Sequence, residues 1–198
     1  MHASAVVSLV ALAVVIGALV WLHLVPSGLS PVRNAVSHYG ITRFSVGYRV
    51  ATIAFAISGI ALAIALSDAT NGRAGVTIAL LALFALARAL ISWFPMDAPG
   101  TERTGTGQAH GLLAIAAFGS AAAAALKLAH VLADGGPLHG LAGASKILGW
   151  LMVACLVGQV LARGMPALRA RFGLVERGFY LSAIVWFAVI AIGCLAAS

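Results

Sequence analysis

Apolar runs about as long as a bilayer core is thick dominate the chain, separated by short stretches of glycine, proline and charge. A hydrocarbon core roughly 30 Å thick takes about 20 residues of helix at a rise near 1.5 Å. Six such runs occur, at residues 5–25, 48–66, 74–94, 107–131, 141–161 and 179–197. Each is leucine, alanine, valine and isoleucine on every face, which suits a helix whose outside meets acyl chains. Alternation with a period of two is missing, so a barrel is not expected. The pattern predicts an all-α protein, a single integral membrane bundle of six transmembrane helices over residues 1–198. The first run has no lysine or arginine before it and no clear small-residue cleavage site, so it reads as a span and not as a secretion signal.

Composition agrees with lipid as the solvent. Of the 198 residues 62% are hydrophobic and only 9% charged, too few charges for a water-facing surface. Basic residues outnumber acidic ones by 12 to 5, a formal charge of +7. They are dispersed beside the spans, with no soluble aromatic face to carry a strand, so anionic lipid headgroups and not nucleic acid are the expected counter-charge. Six spans place both termini on one side and loops 1, 3 and 5 on the other. The odd loops and their span ends carry Arg33, Arg43, Arg49, Arg103, Arg163, Arg169, Arg171 and Arg177, against Arg73, Lys127 and Lys146 on the even side. The positive-inside rule then predicts a cell-membrane protein with its odd loops cytoplasmic and its termini outside. Small residues are expected to let helices approach closely, as at Ser58-Gly59 and along residues 119–125, which makes the fourth span a candidate for the bundle centre.

Ionisable groups are costly in a membrane, so their placement is the informative part of the chain. Three odd-loop segments collect them: Ser37-His38-Tyr39-Gly40, the stretch from Phe94-Pro95-Met96-Asp97 to His110, and Gly173 to Arg177 before the last span. Pro95 cannot continue the third helix and biases Phe94 away from helical backbone, which sets Asp97 just past the helix end. His110 falls near the first turn of the fourth helix, so Asp97 and His110 can face each other across a short hairpin. Such a pair could move protons, bind an anion or ligate a metal; equally, it could be a helix-end ion pair or cap that orders the hairpin.

His38 and Tyr39 read either as site groups or as interface anchors, and Arg177 with Glu176 either as polar contacts or as the inner edge of the last span. Arg49 is expected to snorkel. Arg88 lies about 9 Å below the end of the third span by helical rise and would supply positive charge beneath Asp97 if it faces inward.

On the opposite face His130 and His139 lack zinc-site spacing, and no metal site is expected. Cys155 and Cys194 lie at different depths by helical rise and are not expected to pair. His23 and His110 near one end invite a haem reading, but two axial imidazoles must face each other across a porphyrin, and no cofactor is expected. No glycine-rich nucleotide loop is present.

Four of these segments also carry a resemblance. SHYGITRFSVGYR, FPMDAPG, the His110-led HGLLAIAAFGSAA and GLVERGFYLSAIVW resemble the multi-pass prokaryotic membrane family catalogued as domain of unknown function 998. The resemblance implies a six-helix bundle with Asp97 and His110 as shared features and brings no established reaction; His38 stands where that family usually has Asp. The expected function is binding of a lipid headgroup or small amphiphile at the odd-loop rim by Asp97, His110, Arg88, His38, Tyr39, Glu176 and Arg177, with membrane lipid as the partner. The alternatives are an acid-base or metal-dependent hydrolase or transferase acting on lipid, and a structural or assembly subunit with no ligand.

Overall fold

The computed structural model describes residues 2–98, 100–162 and 164–197, so Arg163, counted above among the odd-side arginines, lies outside the described residues. All regular structure among the described residues is helical: α1 His2–Leu24, α2 Ser45–Ala69, α3 Gly75–Ile91, α4 Gly105–Ala133, α5 Ala142–Leu161, a single turn α6 Pro166–Arg169, and α7 Phe172–Ala196. Short 3-10 helices, Val36–Ile41 and His139–Leu141, sit in the first and fourth loops. Five helices are long and apolar enough to cross a bilayer by length and composition, and α3 is a shorter apolar helix of 17 residues. The protein is an all-helical membrane bundle.

Two of the boundaries that differ from the sequence pattern bear on the polar rim. Helix α3 stops at Ile91 and leaves Ser92 to Phe94 as turns, because Pro95 denies its predecessor helical backbone. Helix α7 begins at Phe172, seven residues ahead of the apolar run that starts at 179, so Glu176 and Arg177 lie on the helix and not in a loop before it. Hydropathy marks where lipid begins, whereas a backbone helix continues into the interface for as long as its amides find partners.

The helices form a ring in which α1 packs on α2, α2 on α3, α3 on α4, α4 on α5, α5 on α7 and α7 back on α1. Both α2 and α4 touch α7 across the ring, α2 over the larger contact, and α2 rather than α4 is the most enclosed helix. Small residues make the close contacts, as expected in lipid. Ser8 and Ser58 exchange hydrogen bonds, each hydroxyl donating to the other residue's carbonyl at 3.1 and 3.0 Å, and this ties α1 to α2. Gly59 lies against the Phe84 ring, and Gly149 against Leu126 and Ala125. The centre is aromatic: Phe55, Phe84 and Phe187 meet with centroids 5.0 to 5.2 Å apart, and Phe118 stacks on Phe179 at 4.4 Å. Neither Cys155 nor Cys194 is in a disulfide.

Candidate functional site

The first loop is held down by the opening turns of α7. The Val36 amide, at the unsatisfied start of a 3-10 helix, donates to Glu176 Oε2 at 2.6 Å, and the Leu174 amide donates to the Val32 carbonyl at 3.2 Å. Arg177 Nη1 donates to the Asn34 carbonyl at 2.8 Å, and its Nε donates to His23 Nε2 at 2.6 Å. The other ring nitrogen of His23 pairs with the Leu19 carbonyl at 2.6 Å, which assigns the proton to Nδ1 and leaves Nε2 free to accept. Gly173 is where the loop backbone passes closest: a Cβ there would collide with the Pro31 and Asn34 carbonyls. Tyr39 is buried with its ring 5.8 Å from that of His23.

The hairpin between α3 and α4 is built around Asp97. Its carboxylate accepts from the Thr104 hydroxyl at 2.7 Å and from the Thr104 amide at 3.2 Å, while Thr104 Oγ1 accepts the Gly107 amide at 3.0 Å as the N-cap of α4. Gly107 has no side chain to displace this carboxylate, which lies directly against its Cα. His110 pairs instead through Nδ1 with the Phe94 carbonyl, 2.7 Å away, which the early end of α3 leaves unpaired. Asp97 and His110 therefore share one hairpin, each with its own partner. Asp97→Ala is expected to weaken folding by about 1 kcal/mol, the worth of a cap contact. Paired melting curves check this; an unchanged melting temperature would show that the hairpin closes without this carboxylate.

Beneath these two loops lies a cavity of about 430 Å³. Ser37 and His38 of the first loop and Met96 and Asp97 of the third form its roof, joined where the Ser37 hydroxyl donates to Met96 Sδ at 3.2 Å. Arg88, Tyr48, Glu176 and Tyr180 line its inner wall, with His110 on the α4 side and Gln159 on α5. Burial pushes the His38 imidazole below its ordinary pKa, so it stands neutral at neutral pH. Tyr39 and Arg177 are not among the lining residues; their side chains fasten the first loop.

Arg88 is 1% exposed. Its Nη1 donates to the Tyr180 hydroxyl at 3.0 Å, and its guanidinium lies 5.4 Å from the Tyr180 ring centre and 5.7 Å from that of Phe55. Its Nε has no partner, nor does the amide nitrogen of Gln159. Among the described residues no carboxylate lies within ion-pair distance of it, and Glu176 gives one oxygen to the Val36 amide. Arg49, at the lipid boundary, stacks on Trp93 at 5.0 Å.

Reading residues alone missed Tyr48, Tyr180 and Gln159. Gln159 is the lone side-chain amide of its span and the one strongly polar residue in its odd-loop half, the same kind of signal that singled out Arg88, and Tyr180 stands one helical turn after Glu176 on the same face. No three His, Cys, Asp or Glu side chains among the described residues converge as a metal set.

The family described as "Protein of unknown function (DUF998)" has a sequence model that matches residues 6–193, nearly the whole chain. The chain belongs to this family. No curated protein and no solved structure matches it. Every residue lining the cavity falls inside the DUF998 match, so the cavity is made wholly of the family's domain and not of an appended segment.

Proposed function

We propose that this DUF998 protein binds the anionic headgroup of a membrane lipid or small amphiphile in the cavity under its first and third loops. One observation carries the reading: Arg88 is buried beside a neutral phenol, with an unpartnered Nε and no carboxylate within ion-pair distance among the described residues. An arginine in a membrane helix costs about 2.5 to 3.5 kcal/mol even on the lenient insertion scale, and such residues ordinarily pair or mark a functional site. An oxyanion in the cavity supplies an acceptor for the unpartnered Arg88 Nε beyond the long-range attraction of Glu176 on the same wall, and can be met by Arg88 from below and by His110, His38 and Gln159 around the sides. Asp97 closes the α3–α4 hairpin over the site, while Glu176 and Arg177 hold the first loop across it, with Tyr39 packed beneath. The arginine excess of the odd loops supports a cytoplasmic position for this face in the cell membrane.

The test is retention of phosphatidylglycerol from bilayers of phosphatidylcholine containing it, read by native mass spectrometry of the full chain. Arg88→Gln is expected to lower retention about tenfold to a hundredfold, the range for a charged hydrogen bond, and to leave the melting temperature near that of the wild type. Equal retention by both proteins would overturn the reading.

A further inference from the structure

The wall between α4 and α5 is not uniform along its length. Toward the even-loop end the helices are in tight contact: Ser145 Oγ donates to the Ala125 carbonyl at 2.8 Å, and Gly149 backs onto Leu126. Toward the odd-loop end α5 leans instead on α7, where Gly158 meets Val175 and Gly178 meets Cys155. The cavity occupies the wedge that this divergence leaves. Its α4 side presents Gly107, Gly111 and Ala114, and a Cβ placed on Gly111 would meet nothing within 4 Å. Its outer margins are Ile115, 61% exposed, and Val160, 60% exposed; both therefore line the cavity and face the bilayer at once.

Resting on the headgroup reading above, we propose that this gap is a lateral portal: one acyl chain of a membrane lipid lies between the odd-loop halves of α4 and α5 while its anionic headgroup reaches Arg88. Two features point to such an occupant. The margins are aliphatic at bilayer depth, which suits a hydrocarbon chain and excludes a free soluble anion from that route. The gap leads inward to two unpartnered donors, Gln159 Nε2 and Arg88 Nε, the second on a side chain more than nine-tenths buried. A lipid that presents an oxyanion at the end of an aliphatic chain matches both along one path. The small residues on α4 make room for the chain, and the hairpin and first loop cover the headgroup.

The test places the photoreactive amino acid p-benzoylphenylalanine at position 115, with a control at position 181, where Leu181 is 65% exposed on α7 and does not line the cavity. The full chain is reconstituted in phosphatidylcholine bilayers doped with phosphatidylglycerol or, in a parallel arm, with oleate. The expected result is crosslinking of at least one anionic lipid at position 115 about tenfold above its share of the bilayer, and in proportion to its share at position 181. Arg88→Gln and, separately, Gly111→Trp should each abolish the enrichment; Ala114→Trp, one turn deeper, serves if Gly111→Trp does not fold. Bulk-proportion crosslinking at position 115 with native-mass-spectrometry retention still dependent on Arg88 would overturn the portal and leave the headgroup site standing. Retention and crosslinking both indifferent to Arg88→Gln would overturn the headgroup site itself.

Discussion

Trp186→Ala is expected to destabilise the bundle by on the order of 3 kcal/mol, the cost of deleting a large ring from a packed interior. Trp186 is 0% exposed, packs edge-on to Phe187 at 5.3 Å, and donates from Nε1 to Ser145 Oγ at 2.8 Å. Ser145 in turn donates to the Ala125 carbonyl, so one indole links α7 through α5 to α4. Separated helices in a bilayer already sit in apolar surroundings, so little transfer energy is at stake, and the cost falls on lost packing and on the void left behind. Trp186→Phe keeps most of the packing and forfeits the hydrogen bond, for which about 0.6 kcal/mol is the expected loss. Reversible unfolding of the two variants in mixed micelles measures both. An alanine variant no weaker than the phenylalanine variant would mean that the centre collapses around the missing ring.

Glu176→Ala should cost about 1 to 3 kcal/mol, because it removes the carboxyl acceptor of the buried Val36 amide 2.6 Å away and leaves that donor unsatisfied. The damage should be local. With Glu176 gone the hydrogen bonds left between the first loop and α7 among the described residues are those of Arg177 and Leu174, so amide protection should fall over residues 32–41 and Arg33 should become cleavable by trypsin, while the helices stay protected. Glu176→Gln retains an acceptor oxygen in the same place and should restore most of the protection. Since Ser37 and His38 of this loop roof the cavity, loop opening in Glu176→Ala should also lower phosphatidylglycerol retention. Unchanged hydrogen exchange at Val36 would show that the loop is held by its other contacts.

Much of this architecture is legible in the chain, and the particular misreadings have physical causes. The apolar runs give the helices because hydrocarbon cannot solvate an unpaired peptide group, so a long apolar segment has few structures open to it. Pro95 fixes the end of α3 and the start of the hairpin, whereas the cap that Thr104 gives α4 is seen only in the structure. The segment at Glu176 and Arg177 reads as loop because charge interrupts hydropathy; it is helix because its charged side chains point at the backbone of the first loop. Gln159 stands out in the chain as Arg88 does, but that it joins the cavity depends on how α5 packs against its neighbours, which no local pattern records.

By itself the sequence determined the medium, the helices and the gathering of polar groups at one rim, all consequences of what lipid will not solvate. Tertiary structure alone decided that Arg88 turns inward onto Tyr180, 92 positions away, that Asp97 serves Thr104 while His110 serves Phe94, and that Tyr39 and Arg177 brace a loop instead of lining the cavity. The reason is rotational. Helices apolar all round carry no stripe to say which face meets a neighbour, so their azimuths are fixed only when small residues, rings and the few buried polar groups find one another across the ring.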